Sequence, residues 1–422
     1  MASFLVPKIS TSFDCQLTLP GSKSIALRQM AISALTDGAT TLAGVPWCDD
    51  IEAMLDCLAQ LGVGVTRDET SVTLQGPMNF SDPVALDARM SGASTRLLIG
   101  LAALRSGSTT IDGHPSLRVR TNQPLFDVLA AHGVKVESES GGLPAVLSGP
   151  IQDVDEVSVD GSISSQYITA LLLIAPYIGE GLEIAITGNL VSRPYIDITI
   201  NEMSKRGAHA EWLDSTRLRV TPTRYQAQTL TIEGDATAAS YFLALATLHG
   251  STLTINNLGD STHQGDYGFV EVMATLGAEI TSTPATTTVT GPSALNPLPN
   301  IDMTTMPDAA LTLITLAAAI PSATTITGLS TLHHKECDRL ECSVAELQKL
   351  GVQTGHTTDS ISVPYTTPEE IAPATLTTYH DHRMAMAFSV LGSLTGTLTV
   401  DDEFVVGKTY PNYWQDYAFC VR

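Results

Sequence analysis

The stretch Leu19-Pro20-Gly21-Ser22-Lys23-Ser24, which runs on to Arg28, contains the features that decide the fold. It follows an alternating, strand-like run at residues 15–19 and precedes a helical pattern at 25–35. Its glycine allows a tight turn between the two, and its first serine is of the type that caps a helix N-terminus. The N–H groups at a helix start bind anions, and Lys23 and Arg28 add two positive charges there. The stretch therefore predicts a strand–turn–helix unit with an anion site.

Similar clusters of small, hydroxyl or charged residues open other apolar helical patterns further along the chain. They are found at residues 90–96, 161–166, 306–310 and 379–386. Three serines and a glutamine open the helix of the second cluster, more than capping alone requires, and they suit a phosphate held by N–H and O–H donors. Each cluster by itself is also explained as an ordinary helix cap. Eight of the 22 basic residues lie in these clusters or in the further motifs at 118–120, 335–339 and 407–411: Lys23, Arg28, Arg96, Arg120, Lys335, Arg339, Arg383 and Lys408.

The charge balance narrows the class of partner. The 422 residues include 44 acidic and 22 basic side chains, for a net charge of −22. Nucleic acids and anionic membrane surfaces require a basic face, so this balance argues against both. An acidic protein that concentrates its few cations in motifs is expected to bind small, highly charged anions.

Cysteine usage and hydropathy indicate the compartment. Six cysteines show neither a C-x-x-C pair nor zinc spacing, which predicts free thiols in a reducing compartment. The first residues lack signal-peptide architecture, and the apolar run at 168–176 is far shorter than the roughly 20 residues of a membrane span. We therefore expect a cytoplasmic protein without membrane attachment.

Strand-like and helix-like segments alternate along the whole chain, which indicates an α/β class. Predicted strands include 71–74, 109–111, 183–187, 252–255 and 404–406, and predicted helices include 50–61, 94–104, 165–177, 238–248 and 338–350. Five helices are followed by a glycine and then a strand start, at Gly62, Gly133, Gly207, Gly277 and Gly351. The recurrence, at intervals of roughly 70 residues, predicts a duplicated β-α-β unit with C-cap glycines. The most suitable domain break lies near 231–235.

The candidate chemical groups are carboxylates next to cations. Asp308 is placed in the first turn of an apolar helix, and Glu336 lies between Lys335 and Arg339. If residues 118–120 are extended, Arg118 and Arg120 share one face. The chain contains no Walker loop, dinucleotide fingerprint, metal cluster or nucleophile elbow. The expected chemistry, without metal or cofactor, joins two small polyanions, with Asp308 as base and Glu336 or a lysine as mobile acid or base.

These motifs resemble those of the EPSP synthase family, the 3-phosphoshikimate 1-carboxyvinyltransferases. The resemblance runs in order over residues 19–413. Its motifs are Leu19-Pro-Gly-Ser-Lys-Ser, Val159-Asp-Gly-Ser-Ile-Ser-Ser-Gln, Arg193-Pro-Tyr-Ile-Asp-Ile-Thr, Glu233-Gly-Asp-Ala, Pro307-Asp-Ala-Ala, Lys335-Glu-Cys-Asp-Arg, Asp381-His-Arg-Met-Ala and Lys408-Thr-Tyr-Pro.

The resemblance implies a two-domain inside-out α/β barrel built from six β-α-β-α-β-β repeats, the enolpyruvyl transferase fold. One domain would span residues 20–232 and the other residues 1–19 plus 233–422, with the active site in the interdomain cleft. The implied reaction transfers the enolpyruvyl group of phosphoenolpyruvate to the 5-hydroxyl of shikimate 3-phosphate. We expect the protein to be a monomer that binds these two small-molecule substrates.

The resemblance also assigns roles to individual residues. The shikimate 3-phosphate ligands would be Lys23, Ser24, Arg28, Ser164, Ser165, Ser192, Tyr195, Asp308, Thr331 and Lys335. The phosphoenolpyruvate ligands would be Lys23, Gly92, Arg120, Gln166, Arg339, Arg383 and Lys408. The catalytic groups would be Asp308, Glu336, Lys23, Lys335 and His382.

The chain departs from the family pattern beside the expected phosphoenolpyruvate site. The usual Gly-Asn-(Ala/Ser)-Gly-Thr reads Arg89-Met90-Ser91-Gly92-Ala93, so an amide and a hydroxyl are missing. Leu97 replaces a proline, and Thr331 replaces an asparagine. We expect these changes to reshape the pocket and to reduce sensitivity to glyphosate, a competitor of phosphoenolpyruvate.

Four alternatives stay open on the sequence alone. A paralogue acting on another phosphorylated alcohol, or a non-catalytic binding paralogue, would fit the altered segment 90–93; the second is expected to lose Asp308, Glu336 or Lys23, which this chain keeps. A UDP-N-acetylglucosamine enolpyruvyl transferase would require a reactive cysteine in the loop at 114–120, which has none. An RNA 3′-phosphate cyclase would require a basic face.

Overall fold

The computed structural model describes residues 2–421. Two compact units are present: the segment up to Pro20 joins the segment from Glu233 onward, and Gly21–Ile232 forms the other unit. We call the first the split unit and the second the inserted unit.

The strands are short and evenly distributed over both units. They are β1 Phe4–Leu5, β2 Asp14–Leu17, β3 Gly38–Ala43, β4 Gly64–Arg67, β5 Ser71–Gly76, β6 Val84–Asp87, β7 Thr109–Asp112, β8 Lys135–Ser138, β9 Ala145–Ser148, β10 Glu156–Asp160, β11 Leu182–Thr187, β12 Ala210–Trp212, β13 Arg217–Val220, β14 Thr229–Thr231, β15 Thr252–Ile255, β16 Glu279–Ser282, β17 Thr287–Thr290, β18 Asn300–Asp302, β19 Thr324–Thr327, β20 Gly355–His356, β21 Ser360–Val363, β22 Ala374–Leu376 and β23 Leu398–Val400.

The helices alternate with these strands. They are α1 Lys23–Leu35, α2 Asp49–Gln60, α3 Gly92–Ala103, α4 Pro115–Arg118, α5 Gln123–Ala131, α6 Ser165–Ile174, α7 Pro194–Ser204, α8 Ala236–Leu248, α9 Phe269–Thr275, α10 Ala310–Ala317, α11 Arg339–Lys349, α12 His382–Thr395 and α13 Tyr413–Cys420. Short 3₁₀ helices lie at Ala175–Tyr177, Gly265–Gly268, Ser330–His334 and Glu403–Lys408.

The sheets show the predicted duplication directly. The inserted unit contains three four-stranded sheets, ordered β14-β3-β5-β4, β6-β7-β9-β8 and β10-β11-β13-β12. In each, the first pair is parallel and the next two pairs are antiparallel. The split unit repeats this pattern in β2-β15-β17-β16 and β18-β19-β21-β20, and with three strands in β22-β23-β1. Six repeats are therefore present.

Helices form the interior of each unit and sheets cover them. Strand residues alternate between buried and more exposed, as in β10 and β15, because one sheet face packs on helices. In contrast, nearly every residue of α8, α10 and α12 is buried. A helix that is apolar on all sides belongs in a core, so these helices are central to the split unit. In the inserted unit, α1, α3 and α6 have the same character.

The five predicted C-cap glycines are confirmed. Gly62, Gly133, Gly207, Gly277 and Gly351 have φ values of 87°, 93°, 82°, 103° and 86°. This left-handed region is costly for residues with a side chain, so glycine at these positions lets each helix end and the next strand begin.

The prediction of six free thiols is wrong for one pair. Cys15 of β2 and Cys420 of α13 form a disulfide, whereas Cys48, Cys57, Cys337 and Cys342 are free. The two bonded cysteines are 405 residues apart, and they meet because α13 packs against β2. Local spacing carries no signal for such a contact.

Candidate active site

The sequence motifs share one structural position. Those at Lys23, Gly92 and Ser165 are the first residues of α1, α3 and α6, and those at Asp308 and His382 lie at or just before the starts of α10 and α12. The repeats therefore present their chemistry at the N-termini of the central helices, where backbone N–H groups favour anions.

Lys23 of the inserted unit is paired with an acid. Its Nζ lies 2.8 Å from Oδ2 of Asp50, whose side chain is only 3% exposed, in the first turn of α2. Ser22 occupies the predicted N-cap position of α1, but its hydroxyl makes no capping bond. The prediction that Ser22 occupies the N-cap position is therefore confirmed, whereas the expected side-chain hydrogen bond is not formed. The main polar contact at this helix start is the Lys23–Asp50 pair.

Arg28 is buried one turn further along α1. Its guanidinium donates to Oγ1 of Thr199 at 2.8 Å, to the Tyr195 carbonyl at 3.0 Å and to the Ser24 carbonyl at 2.8 Å. Burial lowers the pKa of Arg28 to about 10, so this side chain stays charged at neutral pH. Three residues predicted to bind one substrate, Ser24, Arg28 and Tyr195, are thereby brought into direct contact.

Gly92 lies between two guanidinium groups. A methyl group on this residue would be 2.8 Å from Nη1 of Arg96 and 3.2 Å from Nη1 of Arg120. Arg96 donates to the Gly92 and Thr121 carbonyls at 3.0 and 3.1 Å, and burial lowers its pKa. A side chain at this position would force the Arg96 guanidinium to move, and two positive charges flank the start of α3.

The segment before α5 differs from the extended form considered above. Pro115–Arg118 is helical, and Arg118 pairs with Asp112 at 2.7 Å. Pro115 at N1 favours this helical turn. The two arginines therefore do not share a face, and only Arg120 lies next to Gly92.

The serine-rich motif forms the start of α6. The Ser164 hydroxyl accepts from the Gln166 N–H at 3.2 Å, and Ser165 is buried. The Tyr167 hydroxyl donates to the Thr121 carbonyl at 2.7 Å, the same carbonyl that accepts from Arg96. The starts of α3 and α6 therefore meet at one point. Ser192, just before α7, has a left-handed φ of 54°.

Asp308 of the split unit accepts hydrogen bonds from three cationic side chains. It lies just before the N-cap of α10, not in the first turn as predicted. Oδ1 accepts from Lys335 at 2.9 Å and from Arg339 at 3.1 Å, and Oδ2 accepts from Arg383 at 3.1 Å. Burial disfavours its charged form, but Lys335, Arg383 and Arg339 outweigh burial and hold the pKa of Asp308 well below its usual value. Asp308 is therefore an ionised hydrogen-bond acceptor at neutral pH.

Glu336 contacts Arg339 as well and adds one further cation, Lys408. Its Oε2 lies 2.8 Å from Nη2 of Arg339, and its Oε1 lies 2.6 Å from Nζ of Lys408. Lys408 ends the 3₁₀ helix Glu403–Lys408, where the sequence predicts a strand. Helix α11 begins only at Arg339, so Lys335 lies outside it. Both side chains nevertheless contact Asp308.

Arg383 and His382 begin α12 as predicted. Arg383 donates to the Tyr241 hydroxyl at 3.2 Å as well as to Asp308. His382 is 1% exposed, and its Nδ1 lies 3.6 Å from Oδ1 of Asp381. The Thr331 hydroxyl is buried without a hydrogen-bond partner within residues 2–421, so its predicted role depends on the resemblance alone.

Four functional neighbours are missing from the sequence-based set: Asp50, Tyr241, Asp266 and Asp381. Asp266 is 4% exposed and accepts a hydrogen bond from the Thr237 hydroxyl. Burial, followed by the charge of Asp308, raises the pKa of Asp266 to about 7. Asp381 lies inside a recognised motif, but that motif gives no hint of its contacts. Only the fold brings these residues to the cations.

Taken together, the split unit joins Asp308, Lys335, Glu336, Arg339, Arg383 and Lys408 in one hydrogen-bonded network. Such a network can bind carboxylate and phosphate groups and can accept or donate protons at defined atoms. Within residues 2–421, no group of three or more His, Cys, Asp or Glu side chains is placed to hold a metal ion. No helix in that range has the length and apolar character needed to cross a membrane.

Comparison with known proteins gives a consistent result. The family model described as EPSP synthase (3-phosphoshikimate 1-carboxyvinyltransferase) matches residues 7–417. A 3-phosphoshikimate 1-carboxyvinyltransferase of Methanosphaerula palustris is 34% identical over 412 residues, which cover 96% of each chain. One from Escherichia coli O17:K52:H18 is 36% identical over 414 residues, again 96% of each.

Solved structures support the fold. An EPSP synthase from Acinetobacter baumannii superimposes with a TM-score of 0.80 at 21% identity, covering 99% of this chain and 98% of that one. The enolpyruvyl transferase NikO from Streptomyces tendae superimposes with a TM-score of 0.79 at 14% identity, covering 98% of this chain and 96% of that one. At these identities the comparison concerns the fold alone, and it confirms the predicted six-repeat α/β fold.

Proposed function

Because the chain belongs to the EPSP synthase family, we propose that it transfers the enolpyruvyl group of phosphoenolpyruvate to the 5-hydroxyl of shikimate 3-phosphate. The products are 5-enolpyruvylshikimate 3-phosphate and phosphate, and the reaction belongs to chorismate and aromatic amino acid biosynthesis. Family model and relatives both cover nearly the whole chain, which supports this assignment over a paralogue with another acceptor. A monomeric state and a cytoplasmic location stay predictions.

The inserted unit is proposed to bind shikimate 3-phosphate. Arg28 and Ser24 take the carboxylate of the substrate, and Tyr195 lies beside its ring. Ser164, Ser165 and Ser192 take the 3-phosphate at the starts of α6 and α7. The buried, charged Arg28, which contacts the Ser24 and Tyr195 carbonyls, and the position of Ser164 and Ser165 at the start of α6 support this division of roles.

The resemblance assigns phosphoenolpyruvate ligands within each unit. In the inserted unit, Lys23, Arg120 and Gln166 are proposed to bind its phosphate, and Gly92 allows it to approach the backbone. In the split unit, Lys408 is proposed for the same group. The carboxylate of phosphoenolpyruvate is bound by Arg339 and Arg383, whose planar guanidinium groups match a carboxylate in two-point hydrogen bonds. The guanidinium pair around Gly92 and the low exposure of Arg339 support this assignment.

The addition step begins at the acceptor hydroxyl. Asp308 accepts the hydrogen bond of the 5-hydroxyl and takes its proton as the oxygen attacks C2 of phosphoenolpyruvate. C3 gains a proton in the same step, which yields a tetrahedral intermediate. A carboxylate with a strongly lowered pKa is a weak base, so its main effect is to orient the hydroxyl before attack. Lys335 and Thr331 would contact the ring hydroxyls.

The elimination step reverses the proton transfer at C3. Loss of that proton to the Glu336–Lys408 pair forms the new double bond as phosphate leaves from C2. The proton taken by Asp308 passes to the departing phosphate, so the atoms balance. Glu336 and Lys408, 2.6 Å apart, form a donor–acceptor pair that can deliver and remove this proton, with His382 nearby. The cations around Asp308 and Glu336 stabilise negative charge on the departing phosphate.

The single observation that carries the proposal is the ionised Asp308 among three cations. The test measures phosphate release from the purified protein with both substrates. Asp308→Ala is expected to lower kcat by about 10² to 10⁴. Asp302→Asn, an acid of β18, is the matched control and should retain activity within about twofold. Phosphate release that is unchanged in Asp308→Ala, or that requires only one of the two substrates, would contradict the proposal.

A further inference from the structure

We propose that Asp381 is a positioning residue that fixes both arginines of the phosphoenolpyruvate carboxylate site, Arg339 through its guanidinium and Arg383 through its backbone. This inference rests on the proposed function and deepens it. Asp381 carries no role in any assignment made above.

The contact with Arg339 sets the orientation of a buried guanidinium. Oδ2 of Asp381 accepts from Nε at 2.8 Å, and Oδ1 accepts from Nη2 at 3.3 Å. Asp381 thus occupies the edge formed by Nε and one N–H of Nη2. The adjacent edge, formed by Nη1 and the other N–H of Nη2, faces Asp308 at 3.1 Å and Glu336 at 2.8 Å. Because a guanidinium is planar and rigid, holding one edge determines where the other edge points.

The same carboxylate also fixes the start of α12. Oδ1 of Asp381 accepts from the Arg383 N–H at 2.9 Å and so caps the helix. Arg383 then extends its side chain to Oδ2 of Asp308 at 3.1 Å. The Asp381 carboxylate therefore contacts both arginines that bind Asp308, Arg339 of α11 through its side chain and Arg383 of α12 through its backbone N–H.

The backbone before Asp381 is held in an uncommon conformation. Tyr379 and His380 are consecutive non-glycine residues with φ values of 54° and 57°. Such left-handed residues are costly and persist where surrounding contacts require them. The Tyr379 hydroxyl donates to buried Glu346 at 2.6 Å, which anchors this turn. The turn brings Asp381 to the Arg339 edge.

Charge and burial distinguish Asp381 from the other two acidic partners of Arg339, which are Asp308 and Glu336. Asp381 is fully buried and Arg339 is 2% exposed, so the pair forms a compensated charge in the interior. An incoming substrate carboxylate would compete with Glu336 and Asp308 for the Nη side of Arg339, but not with Asp381 on the Nε edge. Without Asp381 the guanidinium could turn onto the catalytic acids, and binding of the substrate carboxylate would weaken.

The test uses Asp381→Asn, which keeps the size and a capping oxygen but removes the charge. Asp338→Asn is the matched control, since Asp338 caps α11 through the Glu341 N–H at 3.1 Å and contacts the His333 ring. We expect Asp381→Asn to raise the KM for phosphoenolpyruvate about 10- to 100-fold and to leave the KM for shikimate 3-phosphate within about twofold. The control should change neither value by more than about twofold. A structural defect would raise both KM values together, and that result would overturn the proposal.

A double-mutant cycle checks the route through Arg339. In an Arg339→Lys background, Asp381→Asn should change the KM for phosphoenolpyruvate by less than about threefold, because the guanidinium it orients is gone. If Asp381→Asn raised the KM for phosphoenolpyruvate by the same factor in both backgrounds, the positioning role would be overturned. If Asp381→Asn does not fold, Asp381→Glu retains charge and cap but moves the carboxylate by one methylene, and the same split between the two KM values is expected.

Calorimetric titration with phosphoenolpyruvate, in the presence of shikimate 3-phosphate, separates this inference from the proposed function. If the unmodified protein binds phosphoenolpyruvate but releases no phosphate, and only Asp381→Asn loses binding, the positioning role stands and the proposed function fails. If Asp381→Asn binds like the unmodified protein, the positioning role is overturned whatever the turnover. If the unmodified protein binds no phosphoenolpyruvate, both are overturned.

Discussion

Lys23 Nζ lies 2.8 Å from Oδ2 of Asp50, an acid that is almost fully buried at the start of α2. The lysine of the first motif is therefore held in place by a neighbour that the sequence did not indicate. A flexible lysine side chain loses entropy when it binds a phosphate, and a fixed partner reduces that cost.

Asp50→Asn should weaken the proposed phosphate site at Lys23. We expect kcat/KM for phosphoenolpyruvate to fall about tenfold, equivalent to about 1.4 kcal/mol, because Lys23 loses its buried anchor. Steady-state kinetics with varied phosphoenolpyruvate measures this. Asp56→Asn on the same helix, where the carboxylate is half-exposed and pairs with Arg67 and Arg89, should have little effect. Equal losses in both variants would indicate a general disturbance of α2.

Gly92→Ala should impair phosphoenolpyruvate binding through crowding. The added methyl group would lie 2.8 Å from Nη1 of Arg96, so the guanidinium must move. We expect the KM for phosphoenolpyruvate to rise about 10-fold or more, with a smaller change for shikimate 3-phosphate. Gly355→Ala is the control, since a methyl group added to that glycine would meet no other part of the protein within 4 Å. An unchanged KM in Gly92→Ala would show that the two arginines do not shape this site.

Reduced glyphosate sensitivity stays a prediction from the segment beside Gly92. Met90 and Ala93 supply neither the amide nor the hydroxyl of the family pattern, and Ala93 packs against the hydrophobic core of the inserted unit. Restoring both groups with Met90→Asn and Ala93→Thr should lower the inhibitor concentration for half-inhibition about tenfold, the effect of one or two hydrogen bonds. Inhibition curves at fixed phosphoenolpyruvate measure this. Ordinary family-level sensitivity of the unmodified chain would defeat the idea.

Local sequence patterns predict the elements well where a single chemical reason controls them. The predicted helix 50–61 is Asp49–Gln60, and the strand 252–255 is found without change. The C-cap glycines mark helix ends because only glycine adopts their backbone conformation without cost. The strand predicted at 404–406 is instead part of a 3₁₀ helix, since an apolar run of three residues fits either form.

Contacts between distant segments lie beyond such patterns. The motif around Lys335 and Arg339 indicates cations, but not that Arg339 is enclosed by Asp381, Glu336 and Asp308. Asp381 and Arg339 are 42 positions apart, and they meet because α11 and α12 both pack against α10. The resemblance to a family indicated most of the site residues. It did not indicate the buried acids that hold them.

Asp266 gives the split unit a pH-dependent stability. Burial, followed by the charge of Asp308, raises the pKa of Asp266 to about 7 from 3.8. The folded protein therefore holds this proton more tightly than the unfolded chain, so the contribution of Asp266 to stability falls as pH rises from about 4 to 7.

The variant Asp266→Asn removes this pH dependence and keeps the size of the side chain. Between pH 5 and pH 8, the free energy of unfolding of the variant should gain about 2–3 kcal/mol relative to the unmodified protein. Denaturant unfolding at the two pH values measures this, and Asp260→Asn, at an exposed acid, should give parallel curves. A relative loss at pH 8 would mean that Asp266 is ionised and stabilised by Arg383, and that its charge contributes to the site.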